Sequence, residues 1–194
     1  MADRILIING HPDPDPAHFC TALAEAYAEG AAGAGRALRR IDVAALEFPI
    51  LRRKPEFETG TPPPPIAAAQ ADIAWADHLV LIYPLWMGTM PALFKAFIEQ
   101  VFRPGFAMDQ QRTRPWSTKL AGRSARIVIT MGMPAAAYRW FFGAHSLRSL
   151  ERNILKFCGI KPVRAFLAGS IDDSGGDRHE RYLAQMRALG ASGR

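Results

Sequence analysis

The chain has 194 residues, of which 49% are hydrophobic and 22% are charged, with a net charge of +6. These proportions are those of a globular protein rather than a disordered or fibrous one, and the length predicts one domain, residues 1–194, that folds without disulfides or structural metal. Cys20 and Cys158 form neither a CxxC pair nor a zinc-like cluster, so we expect a reducing, cytoplasmic location and no metal site.

Short runs of apolar residues alternate along the chain with segments in which apolar residues recur at helical spacing. The runs predict buried parallel strands at residues 5–8, 37–41, 78–83, 125–131 and 163–168. The spacing predicts helices at residues 17–33, 66–76, 91–102, 146–158 and 177–189, with an irregular connection over residues 43–64. Five strands alternating with helices predict an α/β fold with a parallel sheet covered on both faces.

Neither apolar segment that could be taken for a targeting or membrane element fits that role. Ile5–Ile8 is too short for a signal peptide. Leu79–Phe94 is uncharged, but Pro84, Gly88 and Pro91 interrupt it and it falls short of a bilayer span. No membrane insertion is expected.

The positive charge is concentrated in one part of the chain. Residues 100–150 contain eight Arg or Lys residues and one acid, Asp109. No aromatic-interleaved basic stripe or zinc finger accompanies them, which argues against nucleic acid. An anionic small molecule, such as a phosphorylated cofactor, is the expected partner, and a solvated basic face is the alternative.

The loops that follow the first, third and fourth strands are the candidate site, because ligands of such sheets bind at the carboxyl ends of the strands. The first loop, residues 9–19, lacks GxGxxG and GxxxxGK[ST] motifs. It leads into a helix N-terminus, which favours a phosphate, and His11 and His18 could add donors. The alternative is a turn stiffened by its prolines, with His11 bonded to a backbone carbonyl.

The second loop, Tyr83–Pro91, has two aromatic residues, two methionines and a glycine at the mouth of the sheet. Such a surface suits a flat ring system, although a core-packing or dimer-contact loop is the alternative. The third loop, from Thr130 onwards, carries Tyr138 and His145. A phenol and an imidazole can stabilise a developing oxyanion, while a structural tyrosine and a surface histidine are the alternative.

Other catalytic chemistry has little support in the sequence. There is no GxSxG motif, and Cys20 has no fixed base other than the neighbouring His18. These observations favour a reaction carried out by a bound cofactor.

The chain resembles the flavodoxin-like NAD(P)H:quinone oxidoreductases, which include mammalian NAD(P)H dehydrogenase (quinone) and bacterial drug-modulator quinone reductases. Five segments carry the resemblance. They are Gly10–Asp13 with Phe19, Tyr83–Leu93 with Lys95, Val101–Ala107, Thr130–Gly132 with Tyr138 and His145, and Phe157–Ile160.

The resemblance implies a five-stranded sheet in the order 2-1-3-4-5, a bound flavin and a homodimer with active sites at the subunit boundary. FAD is the expected flavin, with FMN as the alternative. The implied reaction is ping-pong hydride transfer from NAD(P)H through the flavin to a quinone or similar acceptor.

The resemblance also assigns roles to individual residues. The residues expected to meet the cofactor's phosphates are His11, His18, Phe19 and Cys20. Those expected to line the isoalloxazine are Pro84, Leu85, Trp86, Met87 and Gly88, with Thr130 and Gly132 at its other edge. Tyr138 and His145 match the pair that stabilises charge on the reduced flavin and hydrogen-bonds the acceptor.

Two other functions remain open at this point. One is a quinone-reductase-like ancillary subunit that regulates a potassium efflux system. The other is a flavodoxin-type electron carrier, which the net charge of +6 disfavours because such carriers are typically acidic.

Overall fold

A computed structural model of the protein describes residues 2–108, 118–172 and 176–193. Five strands form one parallel sheet in the order β2-β1-β3-β4-β5, which confirms the expected flavodoxin-like order. The strands are Arg4–Asn9 (β1), Ala37–Asp42 (β2), His78–Pro84 (β3), Ser124–Thr130 (β4) and Val163–Ala168 (β5). Each observed strand matches a predicted one to within one residue at either end.

Helices cover both faces of this sheet, as predicted. They are Phe19–Gly33 (α1), Lys54–Glu58 (α2), Pro64–Trp75 (α3), Ala92–Val101 (α4), His145–Arg148 (α5) and Gly176–Ser192 (α6). The expectation of an irregular connection over residues 43–64 missed α2. That helix has only five residues and buries none of them, so it has no apolar periodicity to detect.

The helix expected over residues 146–158 is only partly α-helical. After α5 the chain continues as a π-helical segment, Ser149–Leu155, and a second π-helical segment, Ala137–Phe141, lies in the third loop. Over so few residues the side-chain pattern does not distinguish the wider π turn from the α turn. Such π segments frequently occur at functional sites.

Two apolar cores lie on opposite faces of the sheet, because successive strand side chains point to opposite sides. Ile5 and Ile7 pack with α1 and α6, whereas Leu6 and Ile8 pack with α3 and α4. The backbones of α1 and α6 approach closely: a Cβ added at Gly190 would lie 2.1 Å from the carbonyl oxygen of Tyr27.

No helix in the described parts of the chain is long and apolar enough to cross a membrane. Three charged residues of the basic stretch, Asp109, Arg112 and Arg114, lie outside the described residues.

Candidate functional site

The three candidate loops leave the sheet side by side. Asn9 at the end of β1 is in register with Ile82 of β3, and Pro84 at the end of β3 is in register with Thr130 of β4. The backbone continues this pairing beyond the strands, since Leu85 N donates to Thr130 O at 2.8 Å. The parallel order therefore gathers loops from distant parts of the sequence at one edge.

The first loop holds two imidazoles in contact. The rings of His11 and His18 stack with their centroids 3.8 Å apart, and His18 Nε2 lies 3.0 Å from Asp13 Oδ2. Both hydrogen-bond contacts of the His11 ring within the described residues use Nδ1, which lies 3.1 Å from Asp13 O and 3.2 Å from Asp13 N. This arrangement leaves His11 Nε2 for a ligand.

The protonation of His11 follows from its surroundings. Burial lowers the pKa of His11; the Asp13 carbonyl contact opposes this shift, and the neighbouring His18 adds to it. At neutral pH the ring is therefore neutral. If Nδ1 accepts the Asp13 N–H, then Nε2 carries the proton and is a hydrogen-bond donor.

Asn9 was not singled out from the sequence, yet it fixes where the first loop begins. Its side-chain amide donates to Asp42 Oδ1 at 3.1 Å and to Thr21 Oγ1 at 3.3 Å. Its carbonyl Oδ1 accepts from His11 N at 3.2 Å. The only sequence signal was a polar residue directly after a buried strand.

Helix α1 begins directly after this loop and has donors to offer. His18 at its N-cap makes no side-chain capping bond, and no acidic residue occupies the first turn. Thr21 N donates to His18 O at 2.9 Å, whereas the N–H groups of Phe19 and Cys20 precede the first intrahelical acceptor. Together with the helix dipole, they favour an anion.

Two residues expected at the phosphates also have partners inside the protein. Phe19 stacks on His179 of α6 with centroids 4.4 Å apart. Cys20 is buried with Sγ 3.3 Å from Thr130 Oγ1, and burial raises the pKa of this thiol to about 11. The thiol is therefore protonated at neutral pH and joins α1 to the end of β4.

The second loop is a tight turn that exposes apolar side chains. Trp86 and Thr89 exchange backbone hydrogen bonds at 2.9 and 3.0 Å, and Met87 and Gly88 between them have φ values of 48° and 79°. Trp86 is 50% exposed and Met87 is fully exposed. The indole lies edge-on to His11 with centroids 6.0 Å apart, so the first two loops form one surface.

The third loop meets a segment that the sequence did not single out. Ser170 N and Ile171 N donate to Met133 O and Met131 O, which brings the chain after β5 against Gly132. A Cβ added at Gly132 would lie 2.1 Å from Asp172 Oδ2. A side chain at this position would have to displace the carboxylate of the exposed Asp172, and Asp172 joins the rim of the site.

Tyr138 and His145 occupy different environments. Tyr138, in a π-helical segment, is 1% exposed, and its hydroxyl accepts from Leu147 N at 3.1 Å. His145 is exposed at the start of α5, and its Nε2 would lie 3.0 Å from a Cβ at Gly143. The structure therefore brings the residues expected at the phosphates to the same edge of the sheet as Trp86, Thr130 and Gly132. The Tyr138 hydroxyl, in contrast, forms its hydrogen bond in the interior of the protein.

The described residues contain no group of three His, Cys, Asp or Glu side chains arranged to hold a metal ion. The arrangement at this edge instead combines an uncapped helix terminus, two imidazoles and a half-exposed indole. These are the requirements of a ligand that is anionic at one end and flat and apolar at the other.

Comparison with known proteins identifies relatives with this fold. A family model described as a flavodoxin-like fold matches residues 3–190. An uncharacterized NAD(P)H oxidoreductase of Haemophilus influenzae is 31% identical over 100 residues, 51% of this chain and 49% of that protein. The glutathione-regulated potassium-efflux system ancillary protein KefG of Salmonella paratyphi B is 35% identical over 91 residues, 47% of this chain and 44% of that protein.

Two solved structures have the same fold over nearly the whole chain. The NAD(P)H:quinone oxidoreductase of Methanothermobacter marburgensis has a TM-score of 0.82 at 24% identity, covering 99% of this chain and 97% of that one. An FMN-dependent NADH-azoreductase of Bacillus anthracis has a TM-score of 0.77 at 14% identity, covering 98% of each. The matches to both curated relatives span about half of those proteins. The extent of the family match, together with the observed strand order, establishes that the chain belongs to the flavodoxin-like fold family.

Proposed function

We propose that the protein is a flavin-dependent NAD(P)H:quinone oxidoreductase. The observation that carries the proposal is the surface formed by the first two loops, where the uncapped α1 terminus lies beside the stacked His11 and His18 and the half-exposed Trp86. A flavin has this combination of an anionic phosphate end and a flat ring, so the residues fit the cofactor.

Within this proposal each group has a definite task. His11 Nε2, His18 and the first N–H groups of α1 bind phosphate, while Leu85 and Trp86 cover the ring with Thr130 and Gly132 at its far edge. When bound, the flavin supplies hydride transfer from NAD(P)H to an acceptor. The protein orients the partners and excludes water from the apolar side, and the proposed kinetics are ping-pong because donor and acceptor use the same face.

Tyr138 is proposed to hold a proton for the developing negative charge, and the exposed His145 to hydrogen-bond the acceptor. Burial raises the pKa of the Tyr138 hydroxyl, which keeps it protonated at neutral pH. The oxygen accepts from Leu147 N, and Ser146 also hydrogen-bonds this hydroxyl, so the proposed role requires the hydroxyl to turn its proton from Ser146 to the acceptor. Replacing Tyr138 by Phe should lower kcat with a quinone more than it lowers flavin affinity, and unchanged turnover would remove Tyr138 from the mechanism.

Flavin binding is the first test of the proposed function. The purified protein is titrated with FAD and FMN separately, followed by flavin fluorescence, and the bound form is assayed for NADH and NADPH oxidation with a quinone. We expect one flavin to bind and support turnover, with FAD favoured if the first loop accommodates a pyrophosphate. Failure of both flavins to bind would refute the proposal.

A homodimer is proposed from three adjacent aromatic side chains. Trp140, Phe141 and Phe142 are 81%, 83% and 50% exposed, and contiguous exposed apolar surface commonly marks an interface. Light scattering should give twice the chain mass. Replacing Trp140 and Phe141 by Ser should shift the protein to the monomer, and a monomeric parent protein would contradict the proposal.

A second candidate function is an ancillary role at a potassium efflux system. The similarity to KefG over 91 residues favours it. Co-purification with a transporter's cytoplasmic domain would support this role, whereas quinone turnover alone does not distinguish the two. A cytoplasmic location fits both functions, and the two free, buried cysteines are in keeping with it.

A further inference from the structure

A cavity lies at the opposite end of the sheet from the three candidate loops. It encloses about 460 Å³ and is lined by the first residues of β3 and β4, His78 and Ser124, by Lys161 and Arg164, and by Gly193 beyond α6. A strand of seven residues separates the two ends of β3, which is about 20 Å at about 3.3 Å per residue. The cavity is therefore distinct from the candidate flavin site.

Positive charge dominates the surroundings of this cavity. Neither Lys161 nor Arg164 makes a side-chain hydrogen bond or ion pair with any residue in the described parts of the chain. The one carboxylate among the lining residues is Asp77, which Arg4 neutralises at 2.6 Å. An anion entering the cavity would thus meet two available cations.

The inner part of the cavity contains a buried imidazole with an unused nitrogen. His78 is 2% exposed, and its Nδ1 shares a hydrogen bond with Ser124 Oγ at 2.7 Å. Its Nε2 is buried and has no partner among the described residues. Buried polar atoms in native proteins are nearly always hydrogen-bonded, so a water molecule or a ligand group at this nitrogen would add a hydrogen bond that the described residues do not supply.

Two further cations lie behind the imidazole. The guanidinium groups of Arg126 and Arg36, together with Arg164, are close enough to His78 to oppose its protonation. Arg126 is itself 5% exposed, and Arg36 donates to the carbonyl oxygen of Ala191 near the end of α6. Arg36 also lies 4.0 Å from Asp3 Oδ1, and both Arg36 and Arg126 interact with groups of the protein, so the cations available to an anion are Lys161 and Arg164.

We propose that the cavity binds a small molecule through an oxyanion, a phosphate or a carboxylate. Lys161 and Arg164 pair with the anion, and the imidazole of His78 lies in the wall of the cavity beside it. A volume of about 460 Å³ is within the range of small-molecule sites, about 300–1,000 Å³. This site is independent of flavin binding and of the proposed oxidoreductase activity.

The test uses the intact protein and follows the imidazole signals of His78 by NMR. These are distinguished from the other four histidines by comparison with a His78→Asn variant. Inorganic phosphate and citrate are titrated separately in HEPES, with sodium chloride added to keep ionic strength constant. We expect a saturable change in the His78 signals with at least one of the two anions, and the tighter-binding anion identifies the ligand class.

The matched variants separate this site from general charge effects. Lys161→Gln combined with Arg164→Gln should weaken the apparent affinity ten-fold or more. Arg152→Gln combined with Arg181→Gln removes the same charge from exposed positions elsewhere and should leave it unchanged. Melting temperatures without anion show that both variants are folded, and the signals of His11 and His18 report binding at the flavin loops separately. Absence of a saturable change at His78 with either anion, or equal affinity in the Lys161/Arg164 variant, would overturn the proposal.

Discussion

Acid should destabilise the fold through His78, by an amount that follows from its surroundings. Burial, and then the charges of Arg126, Arg164 and Arg36, lower the pKa of His78 from 6.5 to about 4. Below pH 6.5 the unfolded chain takes up a proton that the folded protein resists. The stability contributed by the neutral imidazole is therefore complete above pH 6.5 and is lost as the pH falls towards 4.

The size of this loss can be calculated for one group. With values of 6.5 unfolded and about 4 folded, the free energy of unfolding falls by about 2 kcal/mol between pH 7.5 and 5 and by about 3 kcal/mol by pH 4. Other titrating groups add to the total. They are common to the parent protein and a His78→Asn variant, so the difference between the two proteins isolates His78.

The assay is urea unfolding at pH 7.5, 6, 5 and 4 in HEPES, MES and acetate, without phosphate or citrate. At pH 4 the parent protein should have lost about 3 kcal/mol more than His78→Asn, relative to each protein's stability at pH 7.5. The baseline stabilities of the two proteins do not enter the comparison. Parallel pH profiles for the two proteins would refute the assignment of a neutral, buried His78.

Three further outcomes are expected from the packing and the candidate site. Gly190→Ala should lower the melting temperature by several degrees because its Cβ would lie 2.1 Å from Tyr27 O. Gly33→Ala is the control, since no atom lies within 4 Å of the added Cβ, and it should be neutral or stabilise the protein by about 0.5–1 kcal/mol. Equal effects of the two substitutions would contradict the close packing of α1 and α6. Cys20 should resist alkylation by iodoacetamide at pH 8, since burial raises its pKa to about 11, and fast labelling of the folded protein would argue against that burial. Trp86→Ala should weaken flavin binding about ten-fold, equivalent to about 1.4 kcal/mol, in a fluorescence titration, and an unchanged dissociation constant would remove the indole from the ring surface.

The strands were predictable because each is a short apolar run with a clear boundary. β1 and β3 are buried on both faces, so nearly every position had to be apolar, and Asn9 and Pro84 mark where the two apolar runs end. The same reasoning failed for α2 and for the π-helical segments. These elements bury little or deviate from the α-helical period within a few residues, and their conformation depends on contacts with the rest of the fold.

The candidate site was predictable only as three loops. The sequence pointed to His11, His18 and Trp86 by residue type and by their position after strands. It did not reveal that the two imidazoles stack, that Asn9 fixes the start of the first loop, or that Asp172 approaches Gly132. Each of these features depends on a contact between separate parts of the chain or on the orientation of a ring. Neither can be predicted from the local sequence.

The sequence by itself determined the excess of positive charge and the alternation of strands and helices. The alternation was predictable because burial and turn formation each restrict which residue types can occupy a position. Tertiary structure decided where that charge acts. Arg36 directly precedes β2, whereas Arg126 and Arg164 lie in β4 and β5, and the three converge on His78 only because these strands lie in one sheet. Parallel pairing likewise carries the three candidate loops to one end of the sheet and the basic cavity to the other.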